Sequence, residues 1–191
     1  MSDPALVLRD ILRVDHAGEY GAIRIYRAQI AIARWRAPDL LTMLQEALDD
    51  ETRHRDRFDA GLRERGQRPC DMLPLWGVGG TVLGTGTALL GREAILVCTE
   101  AVERTVHRHM DDQVVWLTPR EPALAAAIAA IRDEEIDHLH HAQGKRVTTR
   151  PAMWLRLLDT VVATATEMLV WLSTYGVSAR LGRQLSRGTR P

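Results

Sequence analysis

Aromatic residues and cysteine are scarce in this chain. Aromatics make up 5% of it, with a single phenylalanine. Strands draw on aromatic and β-branched side chains, so a composition led by Ala, Leu, Arg and Glu turns the expectation towards helices. No convincing alternation of polar and apolar residues contradicts that. The only cysteines, Cys70 and Cys98, are far apart and lack metal-ligand spacing. This excludes a disulfide framework and a thiolate zinc site, and fits a reducing compartment. Net charge is also missing: 25 basic residues balance 25 acidic ones. Bulk electrostatics therefore gives no attraction to nucleic acid. No linker-like stretch divides the 191 residues, so one domain spanning 1–191 with a sizeable core is expected. Nothing at the N-terminus reads as a secretory or transit segment. Asp3 is placed to cap a helix with Pro4 at its first position, as in a bacterial cytosolic chain or one whose leader has been removed.

Helical periodicity is what the sequence has instead. Leu8, Leu12, Glu19, Ile23, Tyr26 and Ile30 form one stripe of a long helix that ends near Arg34. Beyond the break at Pro38, a second helix runs from Asp39 to about Arg65, where Gly66 stops it, with Leu44, Leu48, Glu51, His54, Phe58 and Leu62 in register. A third begins near Arg92 and carries Leu96, Glu100, Glu103, Val106, His107 and Met110 on related faces. Pro119 and Pro122 mark the next break, and a fourth helix, from about Glu121 to Gln143, aligns Leu124, Ile128, Ile131, Glu135, His138 and Ala142. These four predict a helical bundle.

Two of the helices contain Glu-x-x-His: Glu51 with His54, and Glu135 with His138. Each pair follows another glutamate by 32 residues, Glu19 for the first and Glu103 for the second. Residues i and i+3 share a helix face, so each pair can present a carboxylate and an imidazole to one ion. All six residues lie on otherwise apolar stripes. Four unpaired buried carboxylates would be costly or would have to take up protons, whereas two divalent cations neutralise them. An oxygen-rich, sulfur-free donor set favours iron or manganese. The resulting expectation is a ferritin-like four-helix bundle holding two metal ions on Glu19, Glu51, His54, Glu103, Glu135 and His138. Glu100 and His107, one turn either side of Glu103, could also reach such a centre, and the 32-residue spacing selects Glu103. Asp15, one turn before Glu19, reads either as a residue orienting a ligand or as a helix-surface acid.

The run Val14 to Ala22 (Val-Asp-His-Ala-Gly-Glu-Tyr-Gly-Ala), followed by Arg24-Ile-Tyr26, resembles the first helix of the demethoxyubiquinone hydroxylases. Met72-Leu-Pro-Leu-Trp76, Gly86 to Gly91, Cys98 to Glu103 and Arg132 to Glu135 extend the resemblance over about residues 8–173. It implies a membrane-peripheral di-iron monooxygenase that hydroxylates the ring of a late ubiquinone precursor, with O2 as co-substrate and NADH as reductant. It also implies iron ligands at the six positions already found from spacing, and a place on the cytoplasmic side of a bacterial inner membrane. Where such proteins often carry His-Tyr for proton and electron delivery, this chain has His109-Met110. Where they have a basic residue it has Glu167, and it continues to Pro191. Other proteins of quinone biosynthesis, or a second copy, are the expected protein partners. An iron store of the ferritin type and a non-catalytic scaffold of a quinone-biosynthesis complex are the competing readings.

Two apolar segments stand outside the four bundle helices. Residues 72–91 carry no charge and six glycines; residues 160–179 are interrupted only by Glu167. The glycines do not make a dinucleotide-binding loop, because the third glycine of that motif and any βαβ pattern are missing. Gly80 and Gly84 have the spacing that permits close helix packing. The first segment reads either as a helix buried against the bundle or, together with a helix over 152–181, as an apolar platform at a membrane surface. The arginine-rich end, residues 182–191, reads as a tail that engages lipid phosphates or is solvated.

Overall fold

The computed structural model describes residues 3–147 and 152–188, without the side chains of 184 and 186–188. Among these residues the regular structure is entirely helical: α1 (Pro4–Arg36), α2 (Leu41–Glu64), α3 (Leu73–Leu90), α4 (Arg92–Leu117), α5 (Pro122–Lys145), α6 (Met153–Ser173) and α7 (Val177–Gly188). Asp3 caps α1 by accepting a hydrogen bond from the Ala5 N–H at 3.0 Å, with Pro4 in the first turn, as expected. A single 3-10 turn, Pro38–Leu40, leads from α1 into α2. At the far end of α2, Gly66 takes the positive φ (62°) that reverses the chain. Pro151, immediately before the helix expected over 152–181, lies outside the described residues.

Packing pairs α1 with α2 and α4 with α5, and the apolar faces of the two pairs meet to form a four-helix bundle. Tyr26, Leu40, Leu44, Ile95 and Leu96 fill one end of its core, and Leu12, Phe58, Leu62, Met110, Leu117, Ile128 and Ile131 fill the other. Between these two clusters lies the polar layer described below. The remaining long helices lie outside the bundle, α3 against α1 and α6 against α4. Trp76 joins α3 to α6 by donating its indole N–H to Ser173 Oγ at 2.8 Å.

Residues 72–91 satisfy neither sequence reading fully. Helix α3 buries Trp76, Gly77, Gly80, Gly84, Thr87 and Ala88 against the bundle but exposes Val78, Val82, Leu89 and Leu90. Its contact with α1 is between backbones. A Cβ on Gly80 would stand 2.4 Å from the Gly21 carbonyl oxygen, and one on Gly84 2.4 Å from that of Ile25. By length and hydropathy α3 is the one helix among the described residues that could cross a membrane, although a third of it is buried in the fold.

The expected helix over 152–181 is corrected by the structure. Helix α6 ends at Ser173, and Thr174, Tyr175 and Gly176 turn the chain, with φ of 48° at Tyr175 and 75° at Gly176. Gly176 adopts that backbone at little cost. Residues 177–188, the end of the expected helix together with most of the expected tail over 182–191, then form α7, which packs on α4; residues 189–191 lie outside the described ones. Glu167, the one charge in the apolar face of α6, is paired with Arg108 and lies 3.2 Å from His109 Nε2, both on α4.

Candidate metal centre

All six residues selected by spacing converge in the layer between the two core clusters, none of them more than 9% exposed. They divide into two groups of four, Glu19, Glu51, His54 and Glu135, and Glu51, Glu103, Glu135 and His138. The ligand atoms within each group lie within 4.8 Å of one another. Glu51 and Glu135 belong to both groups, so they are placed to bridge two ions. Glu19 with His54 and Glu103 with His138 would complete the two ends.

The centre is built from two equivalent halves. Each of Glu19, Glu51 and His54 lies 84 residues before its counterpart, Glu103, Glu135 and His138. The imidazoles are oriented across this division. His54 presents Nδ1 to Glu135 at 2.9 Å and Nε2 to Glu134 at 2.9 Å, while His138 presents Nδ1 to Glu135 at 3.2 Å and Nε2 to Asp50 at 3.0 Å. An acid on the outer nitrogen fixes the ring and raises the basicity of the nitrogen that faces the ions. Sequence reasoning missed Asp50 and Glu134. The signal was there, since an acid immediately precedes each Glu of Glu-x-x-His. It also missed the Tyr26 hydroxyl, which donates to Glu103 Oε1 at 2.7 Å.

The alternatives in α4 do not reach the centre. Glu100 is held by Arg146 at 3.1 Å, and His107 faces Asp111 at 3.4 Å. Asp15 is no surface acid. It is buried, and its Oδ1 accepts a hydrogen bond from Gln113 Nε2 at 2.8 Å.

The electrostatics show what the donor set needs. Burial pushes Glu19 up to about 7, and Glu51 and Glu103 further, the latter two also through repulsion from Glu135. Burial alone would lower His54 and His138, but the carboxylates around them win and lift them to about 9 and about 10. Burial opposes ionisation of Glu135 too, yet the two histidines hold it well below the usual carboxylate range. Glu51 Oε1 is buried with no hydrogen-bond partner. An orphaned carboxylate oxygen among crowded acids fits a pair of divalent cations, and oxygen with two imidazoles fits iron.

These shifts give a pH dependence with a definite sign. For Glu19, His54 and His138 the folded-state values lie above the ordinary 4.5 and 6.5. Their stabilising contribution is complete below those ordinary values and is lost as pH rises through about 7, 9 and 10. Metal-free protein is therefore expected to melt at a lower temperature at pH 9 than at pH 6, and two bound cations should remove most of that loss. Calorimetry with and without chelator checks this. A metal-free protein that gained stability over the same interval would contradict the assignment.

A cavity of about 270 Å³ leads to the centre from between α3 and α6. Trp76, Leu83, Val102, Val106, Leu169 and Val170 supply apolar walls, and Glu19, Glu51, Glu103 and Glu135 line its inner part. On the other side a polar cavity of about 450 Å³, lined by Glu46, Asp50, Glu134, Asp137 and His141, reaches His138.

A helical bundle with two Glu-x-x-His helices and two further glutamate-bearing helices defines the di-metal carboxylate class. Within that class the chain belongs to the family described as ubiquinone biosynthesis protein COQ7, whose model matches residues 7–173. It is 37% identical over 172 residues to the 3-demethoxyubiquinol 3-hydroxylase of Rhodospirillum rubrum, covering 89% of this chain and 79% of that one. The mitochondrial NADPH-dependent 3-demethoxyubiquinone 3-hydroxylase of Mus musculus is 36% identical over 167 residues, 85% of this chain and 75% of that one. The mitochondrial 5-demethoxyubiquinone hydroxylase of Saccharomyces cerevisiae is 35% identical over 153 residues, 72% of this chain and 66% of that one. The family is thus one of hydroxylating oxidoreductases.

Proposed function

We propose that the protein hydroxylates the ring of a demethoxyubiquinone-type precursor with O2, using two iron ions, at the cytoplasmic surface of a bacterial inner membrane. The observation that carries this reading is an apolar cavity ending on a carboxylate and histidine centre, which brings a hydrophobic ring to the metal site. When bound, the two irons supply O2 activation and transfer of one oxygen atom to the ring. The chain's own residues do the rest. Glu51 and Glu135, common to both ligand groups, would hold the ions, while Asp50 and Glu134 keep the imidazoles aimed and Tyr26 steadies Glu103 through its hydroxyl. Trp76, Val102, Val106 and Leu169 keep bulk water from the reacting ring.

His109 is the residue for proton or electron delivery. It lies in the cavity wall with Nε2 against Glu167, which is partly exposed and so connects it to solvent. Burial and Arg108 bring its imidazole down to about 4, so at neutral pH the ring is neutral and moves a proton only by relay, taking one at one nitrogen as it releases one from the other. Met110 is buried in the core, so no phenol continues a relay there, and NADH is the expected reductant.

The membrane part of the reading is supported by the outward faces of α3 and α6. Val78 and Val82 on one and Leu157, Val161, Met168 and Trp171 on the other are exposed, and Val82 also lines the cavity. Such a surface suits the interfacial region of a bilayer, where a quinone with an isoprenoid tail can enter without crossing water. One experiment tests both parts. Iron-loaded protein, liposomes carrying the precursor, NADH and O2 should yield a ring gaining one hydroxyl, read by mass spectrometry. Leu157→Asp should release protein from the liposomes and slow that conversion several-fold. No product from protein holding two irons would sink the activity, and unaltered partitioning of Leu157→Asp would sink the membrane surface.

A further inference from the structure

Two polar side chains in the cavity take no part in holding ions. Asp15, one helical turn before Glu19, and Gln113 on α4 face each other across the wall, with Gln113 Nε2 donating to Asp15 Oδ1 at 2.8 Å. That bond leaves Asp15 Oδ2 and Gln113 Oε1 buried with no partner, although Gln113 is 2% exposed and Asp15 9%. Buried polar atoms are almost always satisfied, and two orphans on hydrogen-bonded partners in the wall of one cavity have a shared explanation when a ligand completes them. We infer that Asp15 and Gln113 form the seat for a ring hydroxyl of the substrate, a positioning pair for a demethoxyubiquinol of the kind named for the Rhodospirillum rubrum relative.

The chemistry of the pair sets what fits. With Gln113 Nε2 donating to Asp15 Oδ1, Gln113 Oε1 is left as an acceptor, so the ligand must bring a hydrogen. Burial pushes the Asp15 carboxyl up to about 8, which keeps a proton on it at neutral pH. A protonated Oδ2 donates to the hydroxyl oxygen while Gln113 Oε1 accepts the hydroxyl hydrogen. A quinone carbonyl satisfies only the first of these contacts; a quinol satisfies both. The geometry also orients the ring. One helical turn, roughly 5.4 Å, separates Asp15 from Glu19 on the same face of α1, a span that one six-membered ring with an oxygen substituent can bridge. A ring seated by its hydroxyl therefore turns a neighbouring carbon towards the ions.

This inference rests on the hydroxylase reading, and anaerobic binding separates the two. The probes are a demethoxyubiquinol with one isoprenyl unit and its mono-O-methyl ether, titrated calorimetrically into iron-loaded protein without O2. The wild type is expected to bind the free quinol about tenfold more tightly than the ether, the effect of one well-made buried hydrogen bond. In Gln113→Leu the quinol should weaken about tenfold and the preference should vanish. Asp15→Asn, which keeps the size of the side chain, should reduce the preference in the same direction. Two irons per chain and an unchanged melting temperature in Asp15→Asn show that the site is intact. Equal binding of quinol and ether by the wild type, or a preference that survives in both variants, overturns the seat whether or not hydroxylation occurs. Binding with the expected preference, followed by no hydroxylation once O2 is admitted, upholds the seat and overturns the activity.

Discussion

Glu135→Ala is expected to strip the protein of both metal ions. Glu135 is common to the two groups of four ligands, and its carboxylate also contacts Nδ1 of His54 and of His138. One truncation therefore removes a ligand from each ion and leaves two buried imbalances that the fold cannot shield. A residue that merely orients a ligand costs about 10–100-fold in affinity when lost, which is the expectation for Asp50→Ala. A shared ligand should exceed that range. Metal content is expected to fall from two ions per chain to well under one, with hydroxylation undetectable. Glu135→Gln keeps the shape and separates metal loss from misfolding. Metal analysis of the purified variants decides the matter, and two ions retained in Glu135→Ala would remove the basis for assigning the centre.

The second large effect concerns Gly84. Its Cβ position lies 2.4 Å from the Ile25 carbonyl oxygen and 2.9 Å from Ile25 Cα, both main-chain atoms that no rotamer change can move. Gly84→Val must push α3 off α1, which opens the cavity wall and breaks the packing around Trp76. Overpacking typically costs about 1–3 kcal/mol, and an unyielding backbone neighbour puts this substitution at the top of that range. In a chain of this length that corresponds to a fall in melting temperature of roughly 6–12 °C. Gly86 provides the control, because nothing lies within 4 Å of its Cβ position. Gly86→Ala should be neutral or slightly stabilising, since a helical glycine costs about 0.5–1 kcal/mol relative to alanine. Thermal unfolding of the two variants, compared with the parent, tests the backbone contact; equal melting temperatures would refute it.

The convergence of the six candidate ligands was legible in the sequence because each sits on an otherwise apolar helical stripe, where an unpaired carboxylate would have no physical justification. Periodicity located Glu19, Glu51, Glu103 and Glu135 for that reason, and the repeated spacing picked Glu103 over Glu100. What it could not show was which side chains meet across helices. Glu100 is satisfied by Arg146, and Asp50 and Glu134 each serve a histidine on the other Glu-x-x-His helix; those partnerships exist only once α2 and α5 are packed together. Asp15 looked as much like a surface acid as an inner one, because its burial depends on Gln113 from α4. The turn at Thr174–Gly176 escaped notice because uncharged residues flank it on both sides, so hydropathy does not change where the backbone does. Helix α3 buries a third of its residues and exposes the apolar ones on its other face, and composition alone averages the two.

The close approach of α3 to α1 also governs how the cavity can vary. Where Gly80 and Gly84 meet the carbonyls of Gly21 and Ile25, one jaw of the cavity is anchored by main-chain contact that does not yield to side-chain exchange. The opposing jaw is made of Val102 and Val106 on α4 and Leu169 and Val170 on α6, whose girth a single codon can change. On the proposed hydroxylase reading, the bulk of ring the cavity takes is adjustable through those side chains and through Trp76 and Leu83 on α3, while main-chain contact at the glycines holds the separation of α3 from α1 as a fixed gauge.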